Sequence, residues 1–262
     1  AWLGSAGVLA FPLMRRVGVN LEATRGDTNP PVWLVAHVDS KWQPVSMIAR
    51  VAGVIGTSAG VLALFALDLV PATRAHTGAA AVLVLTWIFS VPLVLSLVEA
   101  RNTGALDNAS GVAAVLSAAE LVPSGARLGV LITDAEELAL AGARAWAVSR
   151  RPAVALNCDS VDDAGQYTLM YSGSRPERLA SRLVAFGAAE GQPVRVMRLI
   201  PGVLTDSVAL GDAGWETLTL SRGNVRTLQR IHTSRDTLAT IEGTGLAVAA
   251  RMLAHVATEL GT

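Results

Sequence analysis

Five short stretches of this sequence carry side chains able to bind a cation or move a proton. They are His37-Val38-Asp39, the turn Gly104-Ala105-Leu106-Asp107-Asn108-Ala109-Ser110-Gly111, the run Asp134-Ala135-Glu136-Glu137, the single Asp159, and Ile231-His232-Thr233. Each has an ordinary explanation on its own. A His-x-Asp pair often closes a surface turn, Asp and Asn before a helix satisfy its first free amides, and acidic residues opening a helix suit its dipole. Gathered in one place, however, these carboxylates would raise one another's pKa, and a divalent cation removes that penalty. Imidazole nitrogen with carboxylate oxygen suits zinc. Two histidines and three carboxylates are enough for two ions if one carboxylate bridges them. His37 and Asp39 are two apart in an extended segment and project to one side, so Asp39 is placed to orient the imidazole, as metal-bound histidines usually require. Glu136 and Glu137 are adjacent and project differently, so one can ligate while the other serves as a general base.

For these segments to meet, strands and helices must deliver them to one edge. VWLVAH (32–37), LGVLIT (128–133) and AVALNC (153–158) are short unbroken apolar runs, as expected of strands buried on both faces. Val17, Val19, Leu21 and Ala23 alternate with polar or small residues as in a half-exposed strand, and VRVMRL (194–199) and ETLTL (216–220) are further candidates. Helical spacing runs from Ser110 to Val122, from Glu137 to Ser149, and through Leu246, Ala250, Leu253 and Leu260. Alternating strands and helices imply a three-layer α/β/α sandwich around a mixed central sheet. Ligands of such sheets bind beyond the carboxyl ends of the strands, which is where the chemistry-bearing segments fall.

The ordered set H-x-D-S, G-A-x-D-N-A-S-G, A-E-E-x-x-L-x-G, a lone Asp and H-T-x-x-D-T resembles the di-zinc aminopeptidases of metallopeptidase family 28, over residues 17–46 and 99–262. The resemblance implies that His37 and Asp159 hold one zinc, that Glu137 and His232 hold the other, and that Asp107 bridges the pair. It makes Glu136 the general base for a water held between the metals, Asp39 the partner behind His37, and the Asp107–Asn108 peptide a candidate for the cis form. The implied activity is removal of N-terminal residues from peptides.

The sequence departs from that family in places. Ile231 stands where a Tyr often precedes the last histidine, so help for the oxyanion must come from elsewhere. Ala139 and Ala143 replace small residues without expected consequence. Thr205-Asp206-Ser207 stands for a Ser-Asp-His segment near the substrate pocket, which makes Asp206 a candidate substrate contact. Asp236 reads as a cap or loop anchor, His76 and His255 as structural, and Cys158 as facing the core. Glutaminyl cyclisation, and a receptor-like member without catalysis, are the competing readings. The complete ligand set favours hydrolysis.

Composition adds a second theme. The 262 residues carry 21 basic and 21 acidic side chains, a balance that argues against a nucleic-acid partner. Apolar residues make up 52% and charged residues only 16%, against roughly 25% charged in ordinary soluble domains. Lys41 is the only lysine among the basic residues, an arginine skew read as genome bias, and Cys158 has no second cysteine to pair with. The chain begins at Ala1 rather than Met, as a fragment or processed form would.

The apolar excess is local. Residues 51–98 hold 32 apolar residues of 48 and two charges, Asp68 and Arg74. Val51–Leu67 and Ala79–Val98 are uncharged runs of 17 and 20 residues, near the ~20 residues that span a bilayer. The polar stretch 68–78 between them reads as a turn, making a transmembrane hairpin down and back. The expected organisation is therefore a first part of the catalytic domain at 1–46 (with an apolar segment at 1–14), a hairpin inserted at 47–98, and the remainder at 99–262. The catalytic domain would then lie against a lipid bilayer, where apolar peptides or chain ends emerging from the membrane become candidate substrates. Arg15, Arg16, Lys41, Arg50 and Arg101 on the domain side, against Arg74 in the turn, lean towards a cytoplasmic catalytic domain.

Overall fold

The computed structural model describes residues 17–69, 72–95, 103–200 and 203–262. The apolar run 1–14, Arg15, Arg16 and Arg101 lie outside the described residues, as does the side chain of His76.

Among the described residues, seven strands form one mixed sheet: β1 (Leu21–Arg25), β2 (Val32–His37), β3 (Leu128–Thr133), β4 (Val154–Val161), β5 (Gln166–Tyr171), β6 (Val194–Arg198) and β7 (Glu216–Gly223), in the order β1-β3-β2-β4-β7-β5-β6. The central run β3-β2-β4-β7 is parallel, while β1 joins β3, and β5 joins β7, antiparallel. Strand β2 is buried along its whole length, as its unbroken apolar sequence requires. Its side chains divide by parity. Val32, Leu34 and Ala36 face one core with helices α3 (Ser110–Leu121) and α8 (Thr244–Gly261), while Trp33 and Val35 face another. In that second core Trp33, Trp146 and Trp215 pack together, with ring centroids of Trp33 and Trp146 4.7 Å apart and edge-on. Helices α4 (Ala141–Ala147) and α6 (Asp206–Asp212) cover that side. The result is the expected three-layer sandwich.

The differences from the sequence reading are local. Strand β1 begins at Leu21, so Val17 and Val19 precede it, and its side chains are mostly exposed at the sheet edge. The helix expected from Glu137 begins at Ala141, because Ala135, Ala139 and Leu140 adopt left-handed φ values of 57°, 62° and 62° that no α-helix accepts. Strand β5, helix α5 (Glu177–Ala189), helix α6 and helix α7 (Val225–Arg230) were not anticipated.

Helices α1 (Met47–Asp68) and α2 (Ala72–Val94) pack against each other as a hairpin. Most of the polar stretch expected as the turn is the first part of α2, so the link between the helices is shorter than the sequence suggested. Gly53, Gly56 and Gly60 line the face of α1 against α2. A methyl group at Gly56 would lie 2.2 Å from the Phe89 ring, and one at Gly60 would lie 2.0 Å from Thr86 Oγ1, so the helices approach more closely than any larger residue permits. The outward faces are apolar and exposed, with Leu62, Phe65, Trp87 and Ile88 between 58% and 70% accessible. The hairpin is therefore no pair of core helices. Helix α1, with a mean hydropathy of 1.8 over its most apolar window, is long and apolar enough to cross a membrane. The uncharged part of α2, Gly78–Val94, is shorter.

At the far end of the chain, Asp163 closes the N-terminus of α8 by accepting from the amides of Glu242, Gly243 and Gly245 and the Thr244 hydroxyl. Burial opposes its charge. The amides of Gly245 and Glu242, the Thr244 hydroxyl and the Gly243 amide outweigh burial and lower the carboxyl to about 2. Because the folded value lies below the unfolded one of about 3.9, this stabilisation is complete above pH 4 and is lost as pH falls through about 2. Asp163→Ala is expected to lower stability by about 1 kcal/mol at neutral pH, with the deficit closing below pH 3. Urea unfolding at pH 7 and pH 2.5 checks this, and an equal deficit at both values would contradict it.

Candidate metal centre

The carboxyl ends of β2, β3 and β4 deliver three of the expected segments to one edge. His37 is the last residue of β2, Glu136 and Glu137 follow β3 in a turn, and Asp159 lies near the end of β4. Asp107 comes from an irregular turn that opens α3, with φ of −121° at Asp107 and −140° at Asn108, and the peptide between them is cis. His232 follows α7 with a left-handed φ of 63°, and its carbonyl accepts the Gln43 amide at 2.8 Å.

That turn is held from three sides. Asp236 accepts the amides of Leu106 at 2.6 Å and Asp107 at 3.2 Å, so it is the loop anchor expected of it. Asn108 donates to the Cys158 carbonyl at 2.9 Å and accepts from the amides of Gly111 and Ser160. Gly111 is required for this approach, since a Cβ there would stand 2.2 Å from Asn108 Oδ1 and 2.4 Å from the Cys158 carbonyl. Cys158 itself is fully buried in the core.

The donors fall into two groups. His37, Glu136 and Asp159 form one, and Asp107, Glu137 and His232 form the other, with the donor atoms of each group within 4.8 Å of one another. Asp107 reaches both: Oδ1 lies 3.1 Å from His37 Nε2, and Oδ2 lies 2.6 Å from His232 Nε2. Glu137 Oε1 is 2.8 Å from the same His232 nitrogen, yet both atoms are buried without a hydrogen-bonding geometry. Atoms of this kind converge on a point and satisfy nothing there, which is what a cation between them would correct.

Asp39 meets His37 through its main chain. Its carboxylate stands 3.6 Å from His37 Nδ1, beyond hydrogen-bonding distance, and the main-chain carbonyl of Asp39 takes the Nδ1 proton instead, at 3.0 Å. This contact leaves Nε2 facing Asp107 and Asp159. The carboxylate of Asp39 is occupied by the amides of Glu136 and Glu137, at 3.0 and 3.1 Å, and so fixes the turn that carries both glutamates.

The electrostatics follow from burial and crowding. For His37, burial opposes the proton, but the surrounding carboxylates of Asp107, Asp159 and Asp39 outweigh it and raise the pKa. Asp107 is held well below the carboxylate range, burial being overcome by His232 and then His37. Burial pushes Glu136 well up against the pull of His37, and Asp159, Glu137 and Asp206 add to the rise. Asp206 has no exposed surface. It accepts from the Thr133 hydroxyl, leaves Oδ1 without a partner, and is pushed up to about 6, chiefly by burial. His255 is half exposed on α8, stacked on Phe186.

Three neighbours of the second group escaped the sequence reading. Lys41 pairs with Glu137 Oε2. Arg50, in the first turn of α1, bonds Gln43 Oε1 and lies 3.1 Å from His232 Nδ1. The one available signal was that the single lysine falls four residues after His37. Nothing in the spacing pointed to Arg50 or Gln43.

A sheet covered on both faces, with acid and imidazole donors at the carboxyl ends of its parallel strands, is an α/β fold with a candidate cation site where such sheets bind ligands. The chain belongs to peptidase family M28, whose family model matches residues 19–257. No curated protein matches it. Among solved structures it is similar to an aminopeptidase from Aneurinibacillus sp. strain AM-1, with 17% identity, a TM-score of 0.60, and coverage of 92% of this chain and 47% of that one. It is similar to a zinc aminopeptidase from Bacillus subtilis, with 18% identity, a TM-score of 0.59, and coverage of 92% and 49%. It is also similar to a glutaminyl cyclase from Bacteroides thetaiotaomicron solved with N-acetylhistamine, with 15% identity, a TM-score of 0.62, and coverage of 92% and 77%. The chain spans about half the length of the two aminopeptidases.

Proposed function

We propose that this chain is a membrane-anchored zinc aminopeptidase that removes N-terminal residues from peptides. The observation that carries the reading is Asp107, one carboxylate shared between two acid–imidazole groups, with Glu136 beside them. His37 and Asp159 would hold one zinc, Glu137 and His232 the other, and Asp107 would serve both. Zinc bound there would polarise the scissile carbonyl and make a water acidic enough to attack near neutral pH.

The chain's own residues do the rest. Asp39 fixes the imidazole of His37 through its carbonyl and the Glu136–Glu137 turn through its carboxylate. Glu136, its carboxyl raised mainly by burial, takes the proton of the attacking water and returns it to the leaving amine. Asp206, buried beside this group, accepts from the Thr133 hydroxyl and keeps Oδ1 unpartnered, so it remains the candidate substrate contact. The expected behaviour is hydrolysis of aminoacyl-p-nitroanilides, abolished by a chelator, restored by zinc, and absent on N-acetylated substrates. Hydrolysis indifferent to chelation would contradict the reading. Cyclisation of glutaminyl peptides without peptide hydrolysis would favour the activity of the Bacteroides relative.

The hairpin at 47–98 is an insertion in the peptidase domain that anchors it in a bilayer, with the catalytic domain on the cytoplasmic side by the charge count. Its exposed apolar faces and the length of α1 support this. The full chain is expected to float with phospholipid vesicles in a density gradient and to stay with them in 1 M salt. A soluble monomer left at the bottom of the gradient would contradict it.

A further inference from the structure

Hydrolysis of a peptide bond puts negative charge on the carbonyl oxygen, and the largest electrostatic gains come from donors fixed where that charge appears. Ile231, beside His232, is buried, its aliphatic side chain offers no donor, and its amide is taken by the Thr227 carbonyl. Among the described residues, Lys41 and Arg50 are the cations that touch the second group of donors. Arg50 places Nη1 on Gln43 and on the far nitrogen of His232, on the side of the imidazole away from Asp107 and Glu137. Lys41 is placed otherwise. Its ammonium meets Glu137 Oε2, while Oε1 of the same carboxylate lies 2.8 Å from His232 Nε2. Nζ is therefore one carboxylate's width from the point where Glu137, His232 and Asp107 converge. Among the described residues Glu137 is its recorded partner, leaving two of its three N–H donors available. The side chains of Lys41 and Glu137 are 12% and 8% exposed, so the charge acts where water screens it little.

We propose that Lys41 is a catalytic residue that hydrogen-bonds the scissile carbonyl oxygen as it becomes the oxyanion. The proposal rests on the peptidase reading above. As the water oxygen bonds to the carbonyl carbon, the C=O π pair moves onto oxygen, and a Lys41 N–H meets it without giving up its proton. Glu136 holds the proton lost by the water. Collapse reforms C=O, breaks the C–N bond, and sends the Glu136 proton to the departing amine. The choice of residue fits the task. In a chain whose other 20 basic residues are arginine, this site has the compact ammonium with three donors rather than the planar fork that binds carboxylates in pairs.

The test uses full-length protein in detergent, as wild type, Lys41→Met and Lys41→Arg. It measures zinc content, kcat and KM on leucyl-p-nitroanilide, and inhibition by two ligands: the phosphonic acid analogue of leucine, a tetrahedral anion, and leucinol, which carries the amine without an anion. Lys41→Met is expected to keep its zinc, to lose about 10²-fold in kcat with KM little changed, and to lose a similar factor for the phosphonate but not for leucinol. Lys41→Arg should recover part of the loss. Equal weakening of both inhibitors, or loss of zinc, would make Lys41 a structural residue and overturn the proposal, as would a Lys41→Met variant with wild-type kcat. A wild type without zinc or hydrolysis would instead bring down the peptidase reading, and the proposal with it.

Discussion

Glu136→Gln is expected to lower kcat by about 10² to 10⁴-fold, the range carried by a positioned general base, while zinc content stays at the wild-type level. The amide keeps the size of the carboxyl but accepts no proton. The turn that carries it should survive, because the Asp39 carboxylate holds the main-chain amides of residues 136 and 137 rather than the Glu136 side chain. The carboxyl is 7% exposed and crowded by Asp159, Glu137 and Asp206, so its replacement by a neutral group removes repulsion and should cost the fold little. Loss of activity with metal and stability retained separates a base from a ligand. A Glu136→Gln enzyme with full kcat would remove Glu136 from the chemistry. One that had lost a zinc would make it a ligand of the group it shares with His37 and Asp159.

Asp107→Asn should have the broader effect. One of its oxygens faces His37 at 3.1 Å and the other faces His232 at 2.6 Å, so an amide at this position presents an NH2 group to one imidazole or the other. It also removes the charge that outweighs burial in raising the pKa of both His37 and His232, and that would balance two cations with it. Substitutions behind a ligand already cost 10 to 100-fold in metal affinity. Loss of the shared ligand is expected to exceed about 100-fold for both ions at once and to leave no measurable hydrolysis. Isothermal titration of the metal-stripped variant with zinc measures this directly. A variant that lost one ion and kept the other at wild-type affinity would show that Asp107 serves one site only.

Much of the site was legible because its residues sit at sequence landmarks that physics makes recognisable. Strands β2 and β3 are unbroken apolar runs, β4 begins as one, and the reactive residues follow where a parallel sheet puts its ligands. Other features depended on backbone geometry that side-chain spacing does not report. The glutamates were expected to open a helix, and instead they occupy a turn in which Ala135, Ala139 and Leu140 are left-handed. Asp39 was expected behind His37, and the tight turn after β2 brings its main-chain carbonyl to the imidazole, a contact that side-chain spacing does not report. Strand β5 and helix α5 were missed, although the buried stripe of α5, Leu179, Ala180, Leu183 and Gly187, falls at helical spacing. The hairpin's polar residues 72–77 read as a loop but continue a helix. Lys41 and Arg50 meet Glu137 and His232 only through tertiary folding, across separations of 96 and 182 residues.

The most direct test is the zinc content of the purified full-length chain, determined by elemental analysis after exhaustive dialysis against metal-free buffer. A chain in which Asp107 joins two metal groups should retain about two zinc ions. A wild-type protein that is folded, reaches the same form after zinc is added, and binds one ion or none would contradict it.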